Sequence, residues 1–130
     1  PTPCEGDFMK RLILTALLIC PVAVSADHID VIEAELNEGC SAGKYLAIVK
    51  DFNDDWGKDL GYQTEIFFPV QSNNMTSFYW LGRSESAAAF GAAFDKWTSD
   101  LTDPNSLASS LMARFAECST TLGRRGYMAY

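Results

Sequence analysis

The sequence predicts an α+β domain of the split βαβ type, with four strands in one antiparallel sheet. Three observations carry that expectation. Apolar residues switch between a period of two and a period near 3.6, in the order β-α-β-β-α-α-β. No linker or low-complexity stretch divides the chain, and its 130 residues, 48% hydrophobic and 21% charged, suit one globular domain. Two cysteines far apart in sequence, Cys40 and Cys118, offer a tie across that domain.

The first residues stand apart from this pattern. Met9-Lys10-Arg11 is a basic start, Leu12 to Cys20 an apolar run, and Pro21 a break. Val24-Ser25-Ala26 then puts small residues at the −3 and −1 positions of a cleavage site. The run is shorter than the roughly 20 residues that span a bilayer. Ile19 before Cys20 is too large for bacterial lipid attachment. The expected organisation is an upstream extension or expression remnant at 1–8, a signal peptide at 9–26 and the folded domain at 27–130. Such a leader implies a bacterial periplasmic or secreted protein, with no membrane partner after cleavage. In that oxidising compartment Cys40 and Cys118 are expected to form a disulfide, within one chain or between two, rather than remain buried thiols.

The elements follow in order. Ile29 to Leu36 alternates and reads as a strand, ended by Asn37-Glu38-Gly39. Ser41 caps a helix running to Leu60, with Tyr45, Val49, Phe52 and Trp56 on one stripe and Gly61 as its C-terminal cap. Tyr62 to Val70 is a strand with Thr64, Ile66 and Phe68 on one face and Gln63, Glu65 and Phe67 on the other. Pro69 marks an edge or bulge. The polar turn at 71–74 leads to a strand from Thr76 to Gly82, with Phe78 and Trp80 opposite Tyr79 and Leu81. Ser84 is the expected cap of a helix carrying Ala87, Phe90, Phe94, Trp97 and Leu101. Asp103-Pro104-Asn105 interrupts it, and Ser106 restarts a helix with Leu107, Leu111, Phe115 and Leu122. Arg125 to Tyr130 closes the domain as a short strand.

On these elements the chain resembles the dimeric α+β barrel superfamily, a ferredoxin-like fold. The resemblance covers the whole domain and rests on element order and patterning. Its nearest stretch is Phe78-Tyr79-Trp80-Leu81-Gly82-Arg83, followed by Ser84 and the Ala/Phe-rich helix. That stretch is similar to the hairpin strand and second helix of exported, uncharacterised members. The resemblance implies helices on one face of the sheet and a second subunit on the other. The residues agree, because the central strands are apolar on both faces, whereas a sheet covered on one side alternates cleanly. A homodimer through the sheet face is therefore expected. The haem-handling members use a histidine on a helix, and this domain has none there, so that role is not carried over.

The chemistry is sparse. The net charge of −7 argues against nucleic acid or anionic lipid as partner. The one adjacent basic pair of the domain, Arg124-Arg125, reads as solvated surface. His28, the only histidine, falls just past the cleavage site and reads as an exposed, frayed terminus. No nucleophile, phosphate loop or cofactor motif is recognisable, and no metal site is expected; Asp51 and Asp55 read as a solvated helix face. The ligand-pocket candidates are Glu65, Tyr79, Arg83, Tyr62 and Tyr127, with Glu65 the best acid or base if buried. The expected function is an exported small-ligand-binding or interaction protein, the ligand small and apolar. The superfamily also allows a cofactor-independent monooxygenase- or isomerase-like enzyme with an apolar barrel pocket, whose catalytic residues the sequence does not name.

Overall fold

The computed structural model describes residues 26–130; the expected leader and the residues before it lie outside the described part, Ala26 excepted. Strand β1 (Asp27–Leu36) is followed by helix α1 (Ala42–Phe52), strands β2 (Gln63–Phe67) and β3 (Ser77–Ser84), helices α2 (Ala87–Asp100) and α3 (Leu107–Cys118), and strand β4 (Ser119–Ala129). The sheet has the order β2-β3-β1-β4 and every neighbouring pair is antiparallel. The expected α+β fold and its four-stranded sheet are borne out.

The core lies between one sheet face and the helices. Its centre is Phe78, Trp80 and Ala34 from the sheet, Tyr45, Ile48, Val49 and Phe52 from α1, Ala93 from α2, and Leu111 and Cys118 from α3. The α1 stripe predicted by spacing is the buried face of that helix. Ser41 caps α1 by accepting from the Lys44 amide at 3.1 Å, as expected. Cys40 and Cys118 form a disulfide within the chain, their Cα atoms 5.2 Å apart.

Four local expectations change. The helix expected to reach Leu60 ends at Phe52 and continues as a π turn, Asn53–Gly57, and a 3₁₀ turn, Lys58–Leu60. The cause is a clamp: the Asn53 side chain donates to the Thr64 carbonyl at 2.9 Å and accepts from the Thr64 amide at 3.0 Å. Satisfying an edge-strand residue holds the helix end against β2 and widens its last turn. Gly61, at φ 64°, closes it in the left-handed conformation as predicted. Secondly, β2 is shorter than expected and stops before Pro69, which has no amide proton to give the ladder. Thirdly, Ser84 belongs to β3, where it faces His28, and Ser86 caps α2 instead. Lastly, β4 begins at Ser119 directly after Cys118 rather than at Arg125. The disulfide holds this junction beside the end of β1, and Ser119 to Thr121 then pair with Leu36 to Ala34.

Candidate functional site

The register sets the site. Across the helix-covered face, Thr64, Gly82, Asp30 and Gly126 form one row. The next row is Ile66, Trp80, Ile32 and Arg124. Asp30 is thus flanked on both neighbouring strands by glycine, and the space above those glycines is used. A Cβ on Gly82 would overlap the Tyr62 hydroxyl and the ring carbon bearing it. A Cβ on Gly126 would lie 3.1 Å from His28 Nε2. Tyr62 reaches in from the start of β2, fixed by its amide bonding the Gly57 carbonyl at 3.0 Å.

These side chains form one network, buried at Asp30, Tyr62 and Trp80 and reaching solvent at Arg124. The Tyr62 hydroxyl donates to Asp30 Oδ2 at 2.8 Å and accepts from Trp80 Nε1 at 2.7 Å. Arg124 grips the same carboxylate from β4, Nε to Oδ1 at 2.8 Å and Nη2 to Oδ2 at 2.6 Å. Asp30 is only 2% exposed, so its charge is held by a bidentate guanidinium and a phenol. Burial and the adjacent Asp30 carboxylate push the Tyr62 phenol far above its ordinary range, so it stays protonated and donates. The hydrogen bond to Asp30 raises the Arg124 guanidinium further above its ordinary value. Arg124 also lies over the Phe94 and Phe90 rings, 5.1 and 5.9 Å from their centroids.

Tyr62, Trp80 and Arg124 of this network line a cavity of about 210 Å³ between sheet and helices. Its wall is largely aromatic: Phe52, Trp56, Trp80, Phe90, Trp97 and Phe115 all line it. His28 stands beside Arg124, stacked on Phe90 with centroids 4.0 Å apart. Pockets of this make-up, mostly apolar with a few converging polar groups, suit small molecules.

Of the five predicted pocket residues, only Tyr62 lines this cavity. Strand alternation puts Glu65, Tyr79, Arg83 and Tyr127 on the opposite face of the sheet, and neither Glu65, Arg83 nor Tyr127 is buried. Arg83 pairs there with Asp27 at 2.7 Å. One reading of a single residue is extended and another corrected. Arg124 is exposed, as expected, yet its guanidinium also binds the buried Asp30, because a bulge between Glu33 and Ala34 sets the β4 register that turns it to the helix side. His28, expected at a frayed end, sits within β1 between Ser84 and Met128. Asp30 and Gly82 were missed as well. The available signal was the glycine within β3, which marks close approach by a neighbour; Asp30 is one of four acids in β1 and nothing local sets it apart.

No family model matches the chain, and no curated protein matches it in sequence. Solved structures do share its fold. SnoaB, a cofactor-independent oxygenase from Streptomyces nogalater, is 10% identical and superposes with a TM-score of 0.54 over 81% of this chain and 94% of its own. A conserved protein of unknown function from Bacteroides thetaiotaomicron, named a possible oxidoreductase, is 11% identical, with a TM-score of 0.52 over 80% of this chain and 98% of its own. A dimeric protein of unknown function and ferredoxin-like fold from Bacteroides fragilis is 10% identical, with a TM-score of 0.44 over 78% and 95%. The chain therefore shares with SnoaB and the Bacteroides thetaiotaomicron protein an α+β fold of ferredoxin-like strand order.

Proposed function

We propose that the protein binds a small, flat, mostly apolar molecule between its helices and sheet, the ligand's polar end meeting the Asp30–Tyr62–Arg124 network. The observation that supports this is the aromatic cavity itself, because an aromatic wall beside a polar cluster offers stacking area and one point of orientation. All three tryptophans of the chain line it, so their fluorescence reports occupancy. Titration with 2-naphthol is expected to quench that fluorescence saturably, and Ala93→Leu, which fills the buried floor beside α2, to abolish the effect. An unsaturable response in the unaltered protein would overturn the reading.

An oxygenase or isomerase would use the same cavity and would need a base within it. Both Asp30 oxygens are already engaged by Arg124 and Tyr62, and Tyr62 holds its proton, which favours binding over proton abstraction. The disulfide and the leader-like residues 9–26 support an exported, periplasmic or secreted protein. Among the described residues no helix is long and apolar enough to cross a membrane.

The uncovered sheet face supports a homodimer. It carries Ile29, Val31, Tyr79 and Leu81, half-buried, with Phe67 and Tyr127 exposed around them. Sedimentation at tens of micromolar is expected to give a dimer, and Leu81→Lys, at the middle of that face between Glu65 and Val31, a monomer. A monomeric parent protein would refute the assignment.

A further inference from the structure

Asp30 does not use up the guanidinium that holds it. Arginine carries five N–H donors in a planar fork. Asp30 takes the side edge of that fork, Nε at 2.8 Å and Nη2 at 2.6 Å. Nη1 makes no hydrogen bond among the described residues. The end of the fork, Nη1 with the second Nη2 proton, is therefore left for another planar acceptor. Arg124 keeps 43% of its side-chain surface, whereas the carboxylate under Nε and Nη2 is 2% exposed. The open part of the side chain is thus the part turned from Asp30, its stem and Nη1.

The position is as specific as the donor. Arg124, Phe90 and Phe94 line the aromatic cavity and also an open cleft of about 280 Å³, whose other walls include His28, Arg125 and Gly126. The guanidinium stands where an inner apolar space and an outer, wetter one share a wall. The Asp30 fork and the Phe94 ring beneath fix its plane, so little freedom is lost when a second partner binds.

Charge points the same way. Among the described residues Arg124 and Arg125 are the only lysines or arginines lining either space, and Asp30 is the only carboxylate. The site thus has an excess of one positive charge in a chain whose net charge is −7. An anion held from the cleft side keeps water on its outer face, which avoids most of the cost of burying a charge.

We propose that Arg124 is a specificity-determining residue whose free edge takes a carboxylate of the ligand, so that the preferred ligand is a flat aromatic acid with its rings in the cavity and its carboxylate at the cleft. This rests on the ligand-binding reading above and adds the ligand's charge to it.

The test compares 2-naphthoate with 2-acetylnaphthalene, a neutral ketone of nearly the same shape, by calorimetry at neutral pH. The unaltered protein is expected to prefer the acid by about tenfold. Arg125→Met is expected to keep that preference. Arg124→Met combined with Asp30→Asn, which leaves no buried charge and keeps an acceptor for Tyr62, is expected to bind both probes equally, the ketone as tightly as before. Should the double variant fold poorly, Arg125→Met decides by itself, because Arg124 is then the one cation left in either space. Equal affinities in the unaltered protein, a preference lost in Arg125→Met, or one surviving in the double variant overturns the assignment while leaving the cavity a binding site. Binding of neither probe overturns the assignment together with the ligand-binding reading.

Discussion

Replacing Gly82 by alanine probes the site at its tightest point. The added methyl would overlap the Tyr62 hydroxyl, and Tyr62 cannot swing away freely because it is 5% exposed and hydrogen bonded on both sides. If the ring moves, Trp80 loses its acceptor, at about 1 kcal/mol, and Asp30 loses a donor, at about 2 kcal/mol for a bond to a charged group. Strained repacking adds about 1 kcal/mol or more. Gly82→Ala is therefore expected to lower unfolding free energy by about 4 kcal/mol in urea, the disulfide kept intact. In a Tyr62→Ala background the obstacle is gone, and the same change is expected to be neutral or to stabilise by up to about 1 kcal/mol, since glycine within a strand is unfavourable. The double-mutant cycle isolates this coupling. A Gly82→Ala cost below about 1 kcal/mol, or an equal cost in both backgrounds, would refute the claim that glycine makes room for Tyr62.

Three other outcomes follow from the same geometry. Arg124→Met leaves the buried Asp30 carboxylate with Tyr62 alone and is expected to cost about 3 kcal/mol in urea unfolding at neutral pH; a loss under about 1 kcal/mol would mean that Asp30 reaches solvent once the arginine is gone. Reducing the disulfide releases a tie across a sequence separation of 78 residues, for which chain entropy gives a loss of about 4.5 kcal/mol, read from unfolding curves with and without reductant. Burial pushes the Tyr45 phenol up to about 12 and Tyr62 higher still, while the unfolded chain ionises both near 10. Stability is thus fully present below pH 10 and falls as pH rises beyond it, because the unfolded state then binds fewer protons than the folded state. An ultraviolet titration should find these two of the five tyrosines silent until unfolding; five ionising together in a protein with native circular dichroism would contradict their burial.

Much of the fold was legible because it depends on local periodicity. Tyr45, Val49, Phe52 and Trp56 at helical spacing become one buried wall, and the alternation of Phe78 and Trp80 against Tyr79 and Leu81 places the two faces of β3 correctly. The boundaries that failed depend on distant partners. Ser119 to Thr121 join β4 because Leu36 to Ala34 lie alongside, and α1 gives way to a π turn because Asn53 finds Thr64. Neither partner is apparent within the window that a periodicity covers.

The site divides the same way. Hydrophobic pattern and helix caps are properties of neighbouring residues, so the sequence by itself determined the element order, the helix-facing aromatics, the inclusion of Tyr62 and the identity of the cysteine pair. Which acid is buried is a property of register, and a shift of one residue exchanges the two faces of a strand. Only the tertiary structure decided that Asp30, rather than Glu65, faces the helices, that Arg124 crosses from β4 to hold it, and that Gly82 opens the space Tyr62 fills. Those contacts join residues up to 94 positions apart, and long-range pairing of that kind is settled by the packing of the whole sheet against its helices.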